Sequence, residues 1–174
     1  MDVISIDKVQ PHQIGALQKI GQQTFRETFS DFNSEANMKI YLEEGFSIEK
    51  LTSEYQNKNS EFYFTTYEND IIGYLKINFG KAQTELKDIL ALEIERIYVV
   101  NAFQGKGVGQ LLYDKAITVA KSKGLAYVWL GVWEKNLRAL RFYTKNGFVP
   151  FDQHIFKLGD DEQTDIMMRL QLNN

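Results

Sequence analysis

Three glycines alternate in Gln104-Gly105-Lys106-Gly107-Val108-Gly109, between a β-branched stretch and an apolar-striped one. A loop that follows a strand and opens a helix presents backbone N–H groups at the positive end of the helix macrodipole, and so makes an anion site. Glycine also removes the side chains that would hold a phosphate away. Alternating glycines alone suit a flexible turn equally well. A Walker loop needs Ser or Thr after its Gly-Lys to hold magnesium, and here Gly107 follows Lys106, which excludes it. A dinucleotide fingerprint would put its third glycine at position 110, where Gln110 stands, and would lie early in its domain. Glu134 falls loosely where the ribose-binding acid of such a fingerprint would lie, so that reading stays open.

Carboxylates are the second chemical feature. Glu93, Glu95, Ile97 and Val99 share one face of a strand by its period of two, so both carboxylates can reach a common cleft. A solvated strand face fits the same pattern. Asn136 stands where a helix N-cap is needed. His12 and His154 lack a matching Ser, Cys or metal partner and read as surface or satisfied structural residues. Trp129 reads as core and Trp133, at a strand end, as a packing residue near the site. Asp160-Asp161-Glu162 reads as a solvated turn. No metal-ligand spacing is present.

These residues need a frame. Val3-Ile4-Ser5-Ile6 is strand-like, and Ile14, Leu17 and Ile20 follow Pro11 at near-helical spacing. Asn33-Ser34 can cap a second helix that stops at Gly45, and Ser47 can open a third toward Tyr55. Residues 62–67 and 71–79 predict an antiparallel hairpin about Glu68-Asn69-Asp70. The second half predicts a βαβ unit: a strand over 92–100, the glycine loop, a helix, and a nearly continuous apolar strand over 125–132. The helix carries Val108, Leu112, Ala116 and Ala120 in one stripe that ends at Gly124. A helix from Asn136 to Asn146-Gly147 and two strands complete the chain, the last over 164–172 with alternating apolar residues.

The 174 residues, 44% of them apolar, suit a single domain over 1–174 with a full hydrophobic core. With no cysteine, thiolate nucleophiles, disulfides and Cys-based metal sites are excluded, and a cytoplasmic setting is expected. No stretch approaches the roughly twenty apolar residues of a membrane span, and the start lacks the features of a secretory signal. A net charge of −3 argues against a nucleic-acid surface. The oligomeric state is open, a homodimer being one option.

Gln104-x-x-Gly107-x-Gly109 resembles the cofactor signature of the GNAT family of N-acetyltransferases. Asn136-x-x-Ala139-x-x-Phe142-Tyr143-x-Lys145-x-Gly147-Phe148 is similar to that family's second block, at the expected distance downstream. Phe25-Arg26-Glu27-Thr28-Phe29, Glu95-Arg96-Ile97-Tyr98-Val99 and Phe156-x-Leu158-Gly159-Asp160 further resemble the bacterial PaiA-type polyamine acetyltransferases. The resemblance spans essentially the whole chain. It implies an α/β GNAT fold: one mixed, mostly antiparallel sheet with a central parallel βαβ unit and helices on both faces.

It also implies acetyl-CoA as co-substrate. Its pyrophosphate would lie on the N–H groups of Gln104, Gly105, Lys106, Gly107, Val108 and Gly109, and its pantetheine along Ile97, Tyr98 and Val99 as an added strand. A backbone N–H near Tyr98 or Val99 would polarise the thioester carbonyl. Tyr143 would be the acid that protonates the departing thiolate, and Asn136 would pair with pantetheine besides capping its helix. Glu95 is the base candidate, directly or through water. The acceptor is expected to be a primary amine, a polyamine being favoured by Glu85, Asp88, Glu93 and Glu95 near the presumed cleft; a protein or peptide amine, or an acyl-CoA-binding regulatory module without turnover, are the alternatives.

Overall fold

The computed structural model describes residues 3–173. Strand β1 (Ser5–Lys8) leads into α1 (Ile14–Phe29), α2 (Glu35–Gly45) and α3 (Ile48–Gln56), and then into β2 (Ser60–Tyr67) and β3 (Asp70–Phe79). After them come β4 (Ala91–Val99), α4 (Val108–Ser122), β5 (Tyr127–Trp133), α5 (Leu137–Lys145), β6 (Val149–Leu158) and β7 (Asp161–Gln171). The strands form one seven-stranded sheet in the order β1-β2-β3-β4-β5-β7-β6. Every pairing is antiparallel except β4 with β5, which α4 connects as a crossover. The α/β frame expected from the sequence is therefore present, with its helices on both faces.

Local chemistry explains the boundaries. Ser34 and Ser47 accept hydrogen bonds from the N–H groups of Asn37 and Lys50, capping α2 and α3 where the sequence placed them. The β2–β3 turn holds Glu68 and Asn69 at φ 49° and 72°, the pair of positive φ values that a two-residue hairpin matched to strand twist requires. On one sheet face, Leu17, Ile20, Phe25 and Phe29 of α1 pack with Met38, Leu42, Leu51, Phe62 and Tyr74. On the other, the α4 stripe of Leu112, Ala116 and Ala120 packs on Leu75, Ile77, Leu92, Ile94, Val128 and Leu130. Each fully buried leucine there contributes roughly 1.5–3 kcal/mol.

Two features of β4 decide what the sheet can do. Its pairing with β5 runs from Ala91↔Tyr127 to Ile94↔Leu130 and stops, so residues 95–99 turn an unpaired edge toward residues 131–133 across a widening gap. Its pairing with β3 shifts register between Lys76↔Arg96 and Ile77↔Ile94, which leaves Glu95 as the extra residue of a β-bulge. The bulge corrects the face expected from strict alternation. Ile94 and Ile97 both join the α4 side, whereas Glu93, Glu95, Arg96 and Tyr98 line the α1 side.

Candidate active site

Two cavities meet at the gap. The larger, about 640 Å³, lies among the end of β4, the glycine loop and the start of α5. The smaller, about 330 Å³, lies on the α1 side of the sheet. Ile97, Tyr98, Trp133, Asn136, Ala139 and Tyr143 line both. These shared residues form the passage between the two cavities.

In the larger cavity the glycine loop is built for an anion. The first helical bond of α4 is donated by the N–H of Leu111 to the Gly107 carbonyl at 3.2 Å, so the N–H groups of Val108, Gly109 and Gln110 precede it. Gly107 needs its glycine for conformation, at φ 83°. Gly109 does not: its φ is helical, and a Cβ there would meet no atom of the chain within 4 Å. Nothing in the fold requires glycine at 109, and the open space over it leaves those N–H groups accessible to a phosphate. Gln104 donates to the Val99 carbonyl at 3.2 Å and accepts from Arg138 at 3.0 Å, tying β4 to α5 across the loop. The side chain of Val108 is buried in the core, so it has only main chain to offer the loop, and the exposed Lys106 ammonium lies 5.1 Å from the Phe103 ring centre. The structure therefore fits a pyrophosphate held by main chain.

Lys135, Arg138 and Lys145 add positive charge to this cavity; Lys145 belongs to the second family block, whereas Lys135 and Arg138 were not singled out by the sequence. A signal existed. Arg138 lies in the first turn of α5, where the helix dipole disfavours a cation, so a local reason for it is lacking.

At the passage, Asn136 caps α5 by accepting the Ala139 N–H at 3.1 Å. Tyr143 is 6% exposed and packs edge-on against Phe148, and its hydroxyl makes no hydrogen bond among the described residues. Burial, then the nearby Tyr98 and Tyr113, raises its pKa, so it stays a protonated donor at neutral pH. Tyr98 stacks on Tyr74 at 6.0 Å, and burial raises its pKa as well. Trp133, for which packing is favoured over bordering the cofactor, does both: it lines both cavities while its ring lies 5.3 Å from that of Phe29.

The smaller cavity carries the carboxylates. Glu93 and Glu95 do converge, each accepting from the Asn78 amide at 2.9 Å. Glu95 is further bound by Lys76 at 2.9 Å and Arg96 at 3.0 Å, and Glu54 pairs with the same two cations. Burial pushes the Glu95 carboxyl up, but Arg96 and Lys76 outweigh it and hold it below the usual carboxylate range. Glu93 is raised by burial against hydrogen bonds from Thr84 and Asn78. Glu85 lines the cavity, but Asp88 does not; it is turned outward and accepts from the Tyr127 hydroxyl at 2.8 Å. Two lining residues escaped the sequence reading, Asp165 and the supposedly bland His154. They lie outside the motifs in the chain and meet only through the pairing of β6 with β7. Trp129 is core, as expected, with its indole N–H donating to Gln83 at 2.6 Å. The acidic turn is exposed, as expected: Asp160, Asp161 and Glu162 all lie at the surface, where Asp160 accepts from Asn37 at 2.7 Å while Asp161 and Glu162 begin β7. Among the described residues no acidic or histidine cluster fits a metal ion, and no helix is long and apolar enough to cross a membrane.

A bulged strand splayed from its parallel neighbour, with a glycine anion cradle at the mouth, is the frame of an acyl-CoA-dependent transferase. Residues 23–148 match the Acetyltransferase (GNAT) family, and the chain belongs to that family. It is an acetyltransferase that uses acetyl-CoA. It is 37% identical over 172 residues to an N-acetyltransferase of the pepI 3′ region of Lactobacillus delbrueckii subsp. lactis, covering 99% of each chain. It is 24% identical to the spermidine N(1)-acetyltransferase of Thermoplasma acidophilum over 95% of each. The crystal structure of the PaiA N-acetyltransferase from Thermoplasma acidophilum, in complex with coenzyme A, superposes with a TM-score of 0.80 at 24% identity, covering 98% of this chain and 99% of that one.

Proposed function

We propose that residues 1–174 form one acetyltransferase domain that moves acetyl from acetyl-CoA directly to a primary amine of a small polycation, a polyamine in the first instance. The observation that carries this reading is the meeting of the two cavities at Tyr98, Asn136 and Tyr143, one cavity lined with cations and the other with carboxylates. The similarity to a spermidine N(1)-acetyltransferase supports the choice of amine.

Acetyl-CoA supplies an activated thioester. The main-chain N–H groups over Gln104, Gly105, Lys106, Gly107, Val108 and Gly109 hold its pyrophosphate, with Arg138 and Lys135 adding charge. The free edge of Ile97, Tyr98 and Val99 pairs with the pantetheine amides as a strand would, and Asn136 offers its amide from the other wall. The N–H of Val99, which turns away from β3 where Val100 donates to Ile72, stabilises the oxyanion as the amine nitrogen adds to the carbonyl carbon; Tyr98 directs its N–H to β3. The carbon–nitrogen bond forms and the carbon–sulfur bond breaks. Tyr143 gives its proton to the departing sulfur and recovers one from the new amide nitrogen. Glu95, held by two cations, is poorly suited to remove the first proton itself, and a water relay would start from the same weakened base. Its positioning of Lys76 and Arg96 is the better-supported role.

The acceptor is tested by thiol release from acetyl-CoA with spermidine, spermine, a monoamine of similar length and a lysine-containing peptide. A kcat/KM for the polyamines at least about tenfold above the monoamine and peptide is expected. Preference for the peptide would overturn the small-amine reading while leaving the acetyltransferase intact.

A further inference from the structure

We propose that Asp165 is the carboxylate that binds the reacting ammonium of the acceptor and removes its first proton, with Gly131 opening the space for it. The inference rests on the transfer reading above and deepens it.

Trp133, Asp165 and His154 form one cross-strand row, paired in register from β5 through β7 to β6, so their side chains share the cavity face. Trp133 lines the passage itself. Beside it along β5, on the same face by the period of two, stands Gly131 between Trp129 and Trp133. A glycine inside a strand packs nothing and marks a place where another group approaches closely. A Cβ at Gly131 would lie 3.6 Å from the Asp165 carboxylate and 3.6 Å from the His154 ring, so the hollow opens directly onto both.

Both groups are short of partners. Among the described residues the Asp165 carboxylate accepts no hydrogen bond and forms no ion pair, in contrast to Glu93 and Glu95. His154 has a buried Nδ1 without a partner, and its Nε2 lies 3.7 Å from Glu85 at the outer rim. A third unpartnered group, the hydroxyl of fully buried Tyr74, lines the same cavity. A protonated amine in the hollow would satisfy the carboxylate and would have aromatic faces beside it, which favour cations. The groups that bear on Asp165 are His154 from β6, Tyr98 from β4 and Tyr41 from α2. Burial raises its pKa despite His154, the direction a proton acceptor needs.

The protons balance. Asp165 takes one proton from the ammonium and later gives it to solvent, and Tyr143 returns the second to sulfur as described. An acceptor that already carries no proton at neutral pH, such as an aromatic amine, has no need of Asp165.

The test compares wild type with Asp165→Asn, using spermidine and an aniline-type amine as acceptors. With spermidine, kcat/KM should fall by about 100-fold or more at neutral pH and recover as pH rises toward the pKa of the amine. With the aromatic amine the loss should be less than about fivefold. The midpoint of thermal unfolding should not fall, and its rise with acetyl-CoA should be kept, because Asn removes a buried charge without changing the volume. Equal losses for both amines, or unchanged spermidine turnover in an otherwise active enzyme, would overturn the inference and leave the transfer reading standing. A binding arm needs no turnover: spermidine should raise the unfolding midpoint of the CoA-bound wild type and not of Asp165→Asn. A wild type that neither acetylates nor binds any amine would overturn both readings together.

Discussion

The hydroxyl of Tyr143 and the carboxylate of Glu95 stand at opposite extremes of satisfaction, and their roles follow from that. The phenol faces the passage unbonded and protonated, free to donate. Tyr143→Phe should therefore lower kcat by about 100-fold in a thiol-release assay while keeping acetyl-CoA binding, since only the proton is lost. Glu95 instead completes a buried network with Lys76, Arg96 and Glu54. Removing one member of such a network leaves uncompensated charge, so Glu95→Gln should cost about 3 kcal/mol in urea unfolding at neutral pH. The pH dependence has a definite sign. The folded-state pKa of Glu95 lies below its ordinary value of 4.5, so its stabilising contribution is full above that value and is lost as pH falls through the folded one. Wild type should lose stability on acidification below about pH 4.5 more steeply than Glu95→Gln. A variant with unchanged stability and no turnover would restore Glu95 to the base role.

At the scale of elements, the glycine loop and the start of α4 were legible because the pattern is local. Each glycine reports on a few neighbouring atoms, and the apolar stripe of Val108, Leu112 and Ala116 fixes the buried face of the helix. Gly109 sharpens this into a prediction. Ala there suits a helix better by up to about 1 kcal/mol and meets no atom, so Gly109→Ala should leave the free protein as stable or more so. Gly109→Phe, whose ring would fill that open space over the N–H groups, should bind acetyl-CoA at least about tenfold more weakly, read as a reduced ligand-induced rise of the unfolding midpoint. Undiminished binding would remove the phosphate from that site. Strand β4 was misread for a converse reason. Alternation assigns faces only while the register holds, and the bulge at Glu95 is set by pairing with Lys76 and Ile77, which lie about twenty positions earlier in the chain. No local signal at 93–99 reveals it.

Across the whole molecule, the proposed donor side of the reaction lies on contiguous motifs and the proposed acceptor side on residues that only the sheet assembles. Asp165 and His154 became neighbours of Trp133 through the order β5-β7-β6, and the sequence offered one clue, a glycine inside the otherwise apolar strand around Trp129 and Trp133. The placement of the two cavities at the splay of β4 and β5 has a kinetic consequence. In the proposed transfer, donor and acceptor approach one passage from different cavities, and acetyl would pass between them without resting on the protein. Initial rates of CoA release, measured with acetyl-CoA and spermidine each varied, test this most directly. Double-reciprocal lines that intersect, with no thiol released before amine is added, are the predicted result; parallel lines, or a stoichiometric burst of CoA in the absence of amine, would contradict it.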